Sequence, residues 1–165
     1  MRRKMSGNVR FITETAVIAA IYAVLTLVLA PFSFGPMQVR VSEALCVLPF
    51  FTPAAVPGLF IGCFIANATT VGVGVFDMIF GSLATLAAAF VTYKIKNGGK
   101  WLLPLPSVLI NAFVVPWILI TQYGVTDAYW YLALTVGVGQ AIACYAIGMP
   151  LYFVLNRNRK AIFAR

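Results

Sequence analysis

From Ala44 to Phe76 the chain carries no charged side chain, and long bare runs also separate its few other charges. Apolar runs of this length have two outlets, a large core or a lipid bilayer, and a 165-residue chain has no core large enough for all of them. Composition agrees. The chain is 62% hydrophobic and 10% charged, against about half and about a quarter in soluble domains. It carries twelve basic and four acidic residues. Such a surplus often marks nucleic-acid binding, but the placement of the charges argues against it here. Arg2, Arg3, Lys4 and Arg10 precede the first apolar run. Lys94, Lys96 and Lys100 form one interior cluster, and Arg157, Arg159, Lys160 and Arg165 form the tail. Only Arg40 lies elsewhere. The pattern is that of an integral membrane protein with no nucleic-acid partner.

A membrane-spanning helix needs about 20 mainly apolar residues. Runs at about 11–30, 39–51, 54–70, 76–93, 101–123 and 129–155 supply six candidates, separated by Pro31, Gly35-Pro36, Thr52-Pro53, Gly72, Gly74 and Asn97-Gly98-Gly99. The first run is expected to stay as a helix and not to be cleaved, because Pro31 is a poor neighbour for a cleavage site. Basic loops face the cytoplasm. Four spans before the lysine cluster and two after it place both termini and that cluster on the cytoplasmic side. The expected fold is therefore an all-α, six-helix membrane bundle, a single domain over 1–165, with loops 31–38, 71–75 and 124–128 outside. Neither half repeats the other's Gly/Pro pattern, so an inverted-repeat carrier is not expected. Six short helices suit a small binding subunit of something larger.

Histidine is absent, which removes imidazole bases, relays and metal ligands. Cys46, Cys63 and Cys144 are isolated in apolar segments and read as small buried hydrophobes, not as a metal site. No phosphate-binding loop, nucleophile elbow or zinc-protease motif occurs. No cofactor, no metal and no autonomous enzymatic activity are expected.

The polar residues inside the runs need an explanation, because an ionisable group in the membrane interior costs about 2.5–3.5 kcal/mol or more. Arg40 and Glu43 are spaced to share a helix face. They form either a self-neutralising pair at the boundary or a ligand site at the outer mouth, where a carboxylate accepts two N–H donors and arginine donates to a carbonyl. Gln38 lies just before them. Asp77 opens the fourth helix, as a cap or as a second ligand carboxylate. Asp127 reads as a loop residue. Asn67, Asn111 and Gln140 make interhelical hydrogen bonds or read the edge of a heterocycle. Trp117, after Pro116, either packs or stacks on an aromatic ligand. Tyr123, Tyr129, Trp130 and Tyr131 read as an interfacial aromatic belt. On the first helix, the pairs Ala16/Ala20 and Ala19/Ala23 make small-residue strips for close helix packing, within the bundle or against a separate subunit.

The run Phe34-Gly-Pro-Met-Gln-Val-Arg-Val-Ser-Glu-Ala-Leu45, followed by Pro53-Ala-Ala-Val-Pro-Gly-Leu-Phe-Ile-Gly62 and Ile65-Ala-Asn67, resembles the QueT family, and the resemblance extends over essentially the whole chain. It implies the substrate-binding (S) component of a bacterial energy-coupling-factor importer in the cell membrane. Such a component captures substrate from outside and docks on a transmembrane coupling protein driven by two cytoplasmic ATPases. The resemblance implies a queuosine precursor or salvage base of the 7-deazaguanine type as ligand, and Ala16 and Ala20 as the docking strip. A deazaguanine's N–H donors suit Glu43 or Asp77, and its carbonyl suits Arg40, Gln38 or an amide. An S component for another vitamin-like ligand, a membrane-embedded enzyme and an assembly scaffold are the alternatives.

Overall fold

The computed structural model describes residues 7–30 and 39–163. Gln38 and the basic residues Arg2, Arg3, Lys4 and Arg165 lie outside the described residues. Within them the protein is all-helical, without strands. Helix α1 spans Gly7–Val28, α2 Val41–Phe50, α3 Ala55–Thr69 and α5 Leu105–Tyr123. Helix α4 spans Asp77–Ile95 and α6 spans Tyr129–Arg157, and a last turn, α7, covers Arg159–Ile162. Helices α1, α4, α5 and α6 belong to segments long and apolar enough to cross a membrane, whereas α2 and α3 are shorter.

The sequence reading treated 39–51 as an ordinary short helix. It is instead a ten-residue 3₁₀ helix, preceded by Arg40 in an extended conformation. A 3₁₀ helix rises about 2.0 Å per residue against about 1.5 Å in an α-helix. Ten residues therefore reach about 20 Å, not about 15 Å. Eight of the ten are buried, so α2 is a central strut enclosed by the other helices. Gly148 of α6 packs so closely on it that a Cβ there would lie 3.0 Å from the Ala44 carbonyl oxygen.

Helix α1 packs mainly on α3. The contact is set by glycine: a Cβ on Gly62 would meet the Ala19 carbonyl oxygen and Tyr22 Cβ at 2.7 Å, and one on Gly58 would lie 3.0 Å from Ile18. This is small-residue packing, with Gly58 and Gly62 four apart and Ala19 and Ala23 buried opposite. The two alanine strips thus separate. Ala19 and Ala23 are buried, while Ala16 and Ala20, on the adjoining flank of the helix, are exposed.

Two helices contain π turns, Asp77–Gly81 at the start of α4 and Ile142–Ile147 within α6. The chain's connections gather at two ends. At one end, Glu14 accepts a hydrogen bond from the Thr52 hydroxyl (2.6 Å) and pairs with Arg10 (2.7 Å). Lys96 and Arg159 line a pocket with Thr52, so the basic segments share this end. At the other end, the 70–76 loop packs on the end of α5: the Gly74 N–H donates to the Tyr123 hydroxyl (3.0 Å) and the Phe76 N–H to Gln122 Oε1.

Candidate functional site

Three of the four acids lie in the described apolar helices or at their starts, and two of these, Glu43 and Asp77, are buried to 2% exposure. Arg40 is 3% exposed. Burying three ionisable groups inside an apolar bundle is expensive unless each is paired and hydrogen-bonded, and the sequence supplies partners from four helices.

Glu43 sits in the first turn of α2, its N–H donating to the Arg40 carbonyl at 3.0 Å. The Tyr22 hydroxyl of α1 donates to Glu43 Oε1 at 2.5 Å. The Thr85 hydroxyl of α4 lies 3.5 Å from the same oxygen, 3.4 Å from Cys63 Sγ and 3.2 Å from the Gly81 carbonyl. Just above, Thr26 of α1 donates to the Ser42 hydroxyl at 2.7 Å. Glu43 is therefore reached from α1 and α4 together.

Asp77 takes a different set. Arg40 Nη2 lies 3.5 Å from its Oδ1, and the Tyr123 hydroxyl donates to its Oδ2 at 2.8 Å. The capping alternative does not hold, since Asp77 lies inside the π turn and makes no side-chain cap. Arg40 and Glu43 do not share a helical face, because Arg40 precedes the helix, and Arg40 crosses to the acid 37 positions away. Arg40 and Asp77 form a buried pair that ties the start of α2 to the start of α4.

Asn67 of α3 joins the two halves. Its Nδ2 donates to the Asp77 carbonyl at 2.9 Å and lies 3.6 Å from Cys63 Sγ. Its Oδ1 is buried and has no hydrogen-bond partner among the described residues. Tyr22, Glu43, Thr85, Cys63, Asn67, Asp77, Arg40 and Tyr123 form one connected polar network. Asp77 and Tyr123 also border a cleft of about 270 Å³ under the 70–73 loop, near the lower end for small-molecule sites, about 300 Å³.

The other expected residues lie at its margin or off it. Asn111 is buried, and its amide donates to the Ser107 carbonyl one turn back in its own helix (3.0 Å). Gln140 is 1% exposed, with Cys144 Sγ 3.9 Å from its Oε1 and 3.5 Å from the Glu43 carbonyl. Trp117 is not part of the cluster: it is 41% exposed, stacked on Phe76 (5.8 Å, 7° between planes) with Phe80 edge-on at 5.0 Å. The three cysteines are free and buried. Sequence reasoning missed Tyr22, Thr85 and Tyr123. The hydroxyl of Tyr22 in the middle of an apolar run was the available signal for the first, since a buried Tyr hydroxyl needs a partner.

The family model described as QueT transporter matches residues 12–157. Over 77 residues the chain is 39% identical to the queuosine precursor transporter QueT of Lactococcus lactis subsp. cremoris (strain MG1363). That alignment covers 46% of this chain and 44% of the relative. No solved structure matches. A family match that runs from α1 to the end of α6, on a chain with several apolar helices able to cross a membrane, makes this a multi-pass membrane protein that belongs to the QueT transporter family.

Proposed function

We propose that the protein is the substrate-binding component of an energy-coupling-factor importer for a queuosine precursor or salvage base of the 7-deazaguanine type. In this reading all six helices α1–α6 cross the bilayer as one domain, with both termini and the basic end in the cytoplasm. The site then opens outward beneath the 70–76 loop. The supporting observation is the buried network of Glu43, Arg40, Asp77 and Asn67. A deazaguanine presents adjacent N–H donors that a carboxylate accepts in pairs, and a carbonyl that arginine meets. Asn67 Oδ1, buried without a partner among the described residues, is a waiting acceptor. The relative's name points to the same ligand class.

Transport energy then comes from partners, a transmembrane coupling protein and two cytoplasmic ATPases. The exposed Ala16/Ala20 strip of α1 is the docking face, since its inward counterpart is already filled by α3. The purified chain should bind a 7-deazaguanine base saturably without ATP, and mass spectrometry should find such a base copurifying with it. A folded protein that binds none of these bases but retains another vitamin-like compound would replace the substrate assignment and keep the transporter role.

A further inference from the structure

The end of the molecule opposite the polar network holds a second pocket, of about 280 Å³. The tail supplies one side of it, the end of α2 and the end of α4 the rest. The last turn, α7, folds back so that Phe163 stacks on Phe51 (5.1 Å, 13° between planes) and the Arg159 guanidinium lies 5.4 Å from the Phe50 ring centre. Lys96, from the end of α4, faces the same pocket with its ammonium 4.1 Å from the Tyr93 ring centre. Thr52 and Pro53, the turn between α2 and α3, close its floor. The nearest acid, Glu14, is engaged by the Thr52 hydroxyl and by Arg10. Among the described residues neither Lys96 nor Arg159 forms an ion pair with a carboxylate. Two cations from different helices therefore converge on one cavity, with no carboxylate paired to them among the described residues. The aromatic walls hold the cations in place and supply an apolar side.

We propose that this pocket seats the phosphate of an anionic lipid headgroup from the cytoplasmic leaflet, with the acyl chains leaving over the exposed apolar surface beside it. The inference rests on the orientation set out under Proposed function, and on three features of the pocket. These are convergent cations, an aromatic-lined cavity of headgroup size, and a position at the end of the apolar helices where phosphates lie. Arginine donates to a phosphate through paired N–H groups and lysine as a point charge. A bound lipid would clamp the tail to the α2–α3 turn and to α4, at the end of the strut that carries Glu43 at its other end.

The test uses the full chain in neutral-detergent micelles, with retained lipid counted by native mass spectrometry. Phosphatidylglycerol should be retained at about one per chain, and phosphatidylcholine should not. The K96Q/R159Q pair should weaken retention roughly thirtyfold, the combined contribution of two headgroup-level cations. K94Q, whose ammonium lies over Phe90 and not in this pocket, should leave it unchanged. Equal retention by the double variant, or equal retention of phosphatidylcholine, overturns the proposal. Thermal protection by inorganic phosphate but not by phosphatidylglycerol overturns the lipid source and assigns a free anion. Normal lipid retention by the double variant with failed assembly on the coupling protein assigns the pocket to a partner protein. Base binding by the same samples is read separately, so loss of the substrate reading does not decide this one.

Discussion

Tyr22 of α1 holds Glu43 of α2 through a hydroxyl-to-carboxylate hydrogen bond of 2.5 Å, both side chains being buried. The same helix carries the proposed docking strip on an adjoining flank, at Ala16 and Ala20. One helix therefore touches the buried Glu43 carboxylate with one face and exposes another to the surroundings. Tyr22→Phe removes the bond and leaves the ring in place. We expect a loss of about 1–3 kcal/mol, the cost of depriving a buried charged acceptor of a donor, measured by thermal unfolding in detergent. An unchanged unfolding midpoint would show that the bond contributes nothing to stability.

Glu43→Gln keeps shape and removes charge. If the carboxylate accepts paired donors from the base, affinity falls at least tenfold, because charge-assisted hydrogen bonds become neutral ones. Asp127→Asn, at an exposed position, should bind as the parent does. Titration calorimetry on both variants decides, and equal affinities would remove Glu43 from the site.

Arg40 and Asp77 are best tested as a pair. Asp77→Leu alone leaves a buried guanidinium facing an apolar side chain and should destabilise by about 3–5 kcal/mol. Arg40→Met together with Asp77→Leu should recover much of that loss in stability while abolishing base binding. A double variant no more stable than the single one would mean that the two charges do not compensate each other.

Much of this was readable in the residues, and the gaps have physical causes. The apolar runs and basic clusters gave the helical class and the shared basic end. Glu43, Asp77 and Asn67 were recognisable because polar groups in apolar runs need partners, and the structure joins them in one network. The winding of α2 was not readable, since a helix buried on nearly every side shows no amphipathic period. The contact of Arg40 with Asp77 was not readable, because i, i+3 spacing says nothing about an acid 37 positions away. Tyr123 looked like an interfacial aromatic, and only the fold brings it to Asp77, 46 residues away. Trp117 was drawn off by Phe76 and Phe80, neighbours that a linear reading does not reveal.

The contact between α1 and α3 leaves no room for added volume. Gly62→Leu should cost about 1–3 kcal/mol or more from overpacking, whereas Gly7→Ala, with open space around it, should cost nothing measurable. Unfolding curves compare them directly, and equal midpoints would refute the close approach at Gly62.

The two alanine strips predict opposite phenotypes. Ala16→Leu with Ala20→Leu should leave folding and base binding intact and abolish uptake in cells that contain the coupling module. Ala19→Leu, buried at 4% exposure, should impair folding itself. Uptake surviving the first pair would move the docking face away from α1.

The length of helix α2 is set by its winding. Rewinding its ten residues from 3₁₀ to α geometry shortens it by about 5 Å, one full α-helical turn, without leaving the helical family. Glu43 rides on the first turn of this helix, its backbone anchored on Arg40 and its carboxylate on Tyr22. The buried element that bears Glu43 is thus the one whose length depends on how it is wound, inside helices that keep α geometry over most of their length.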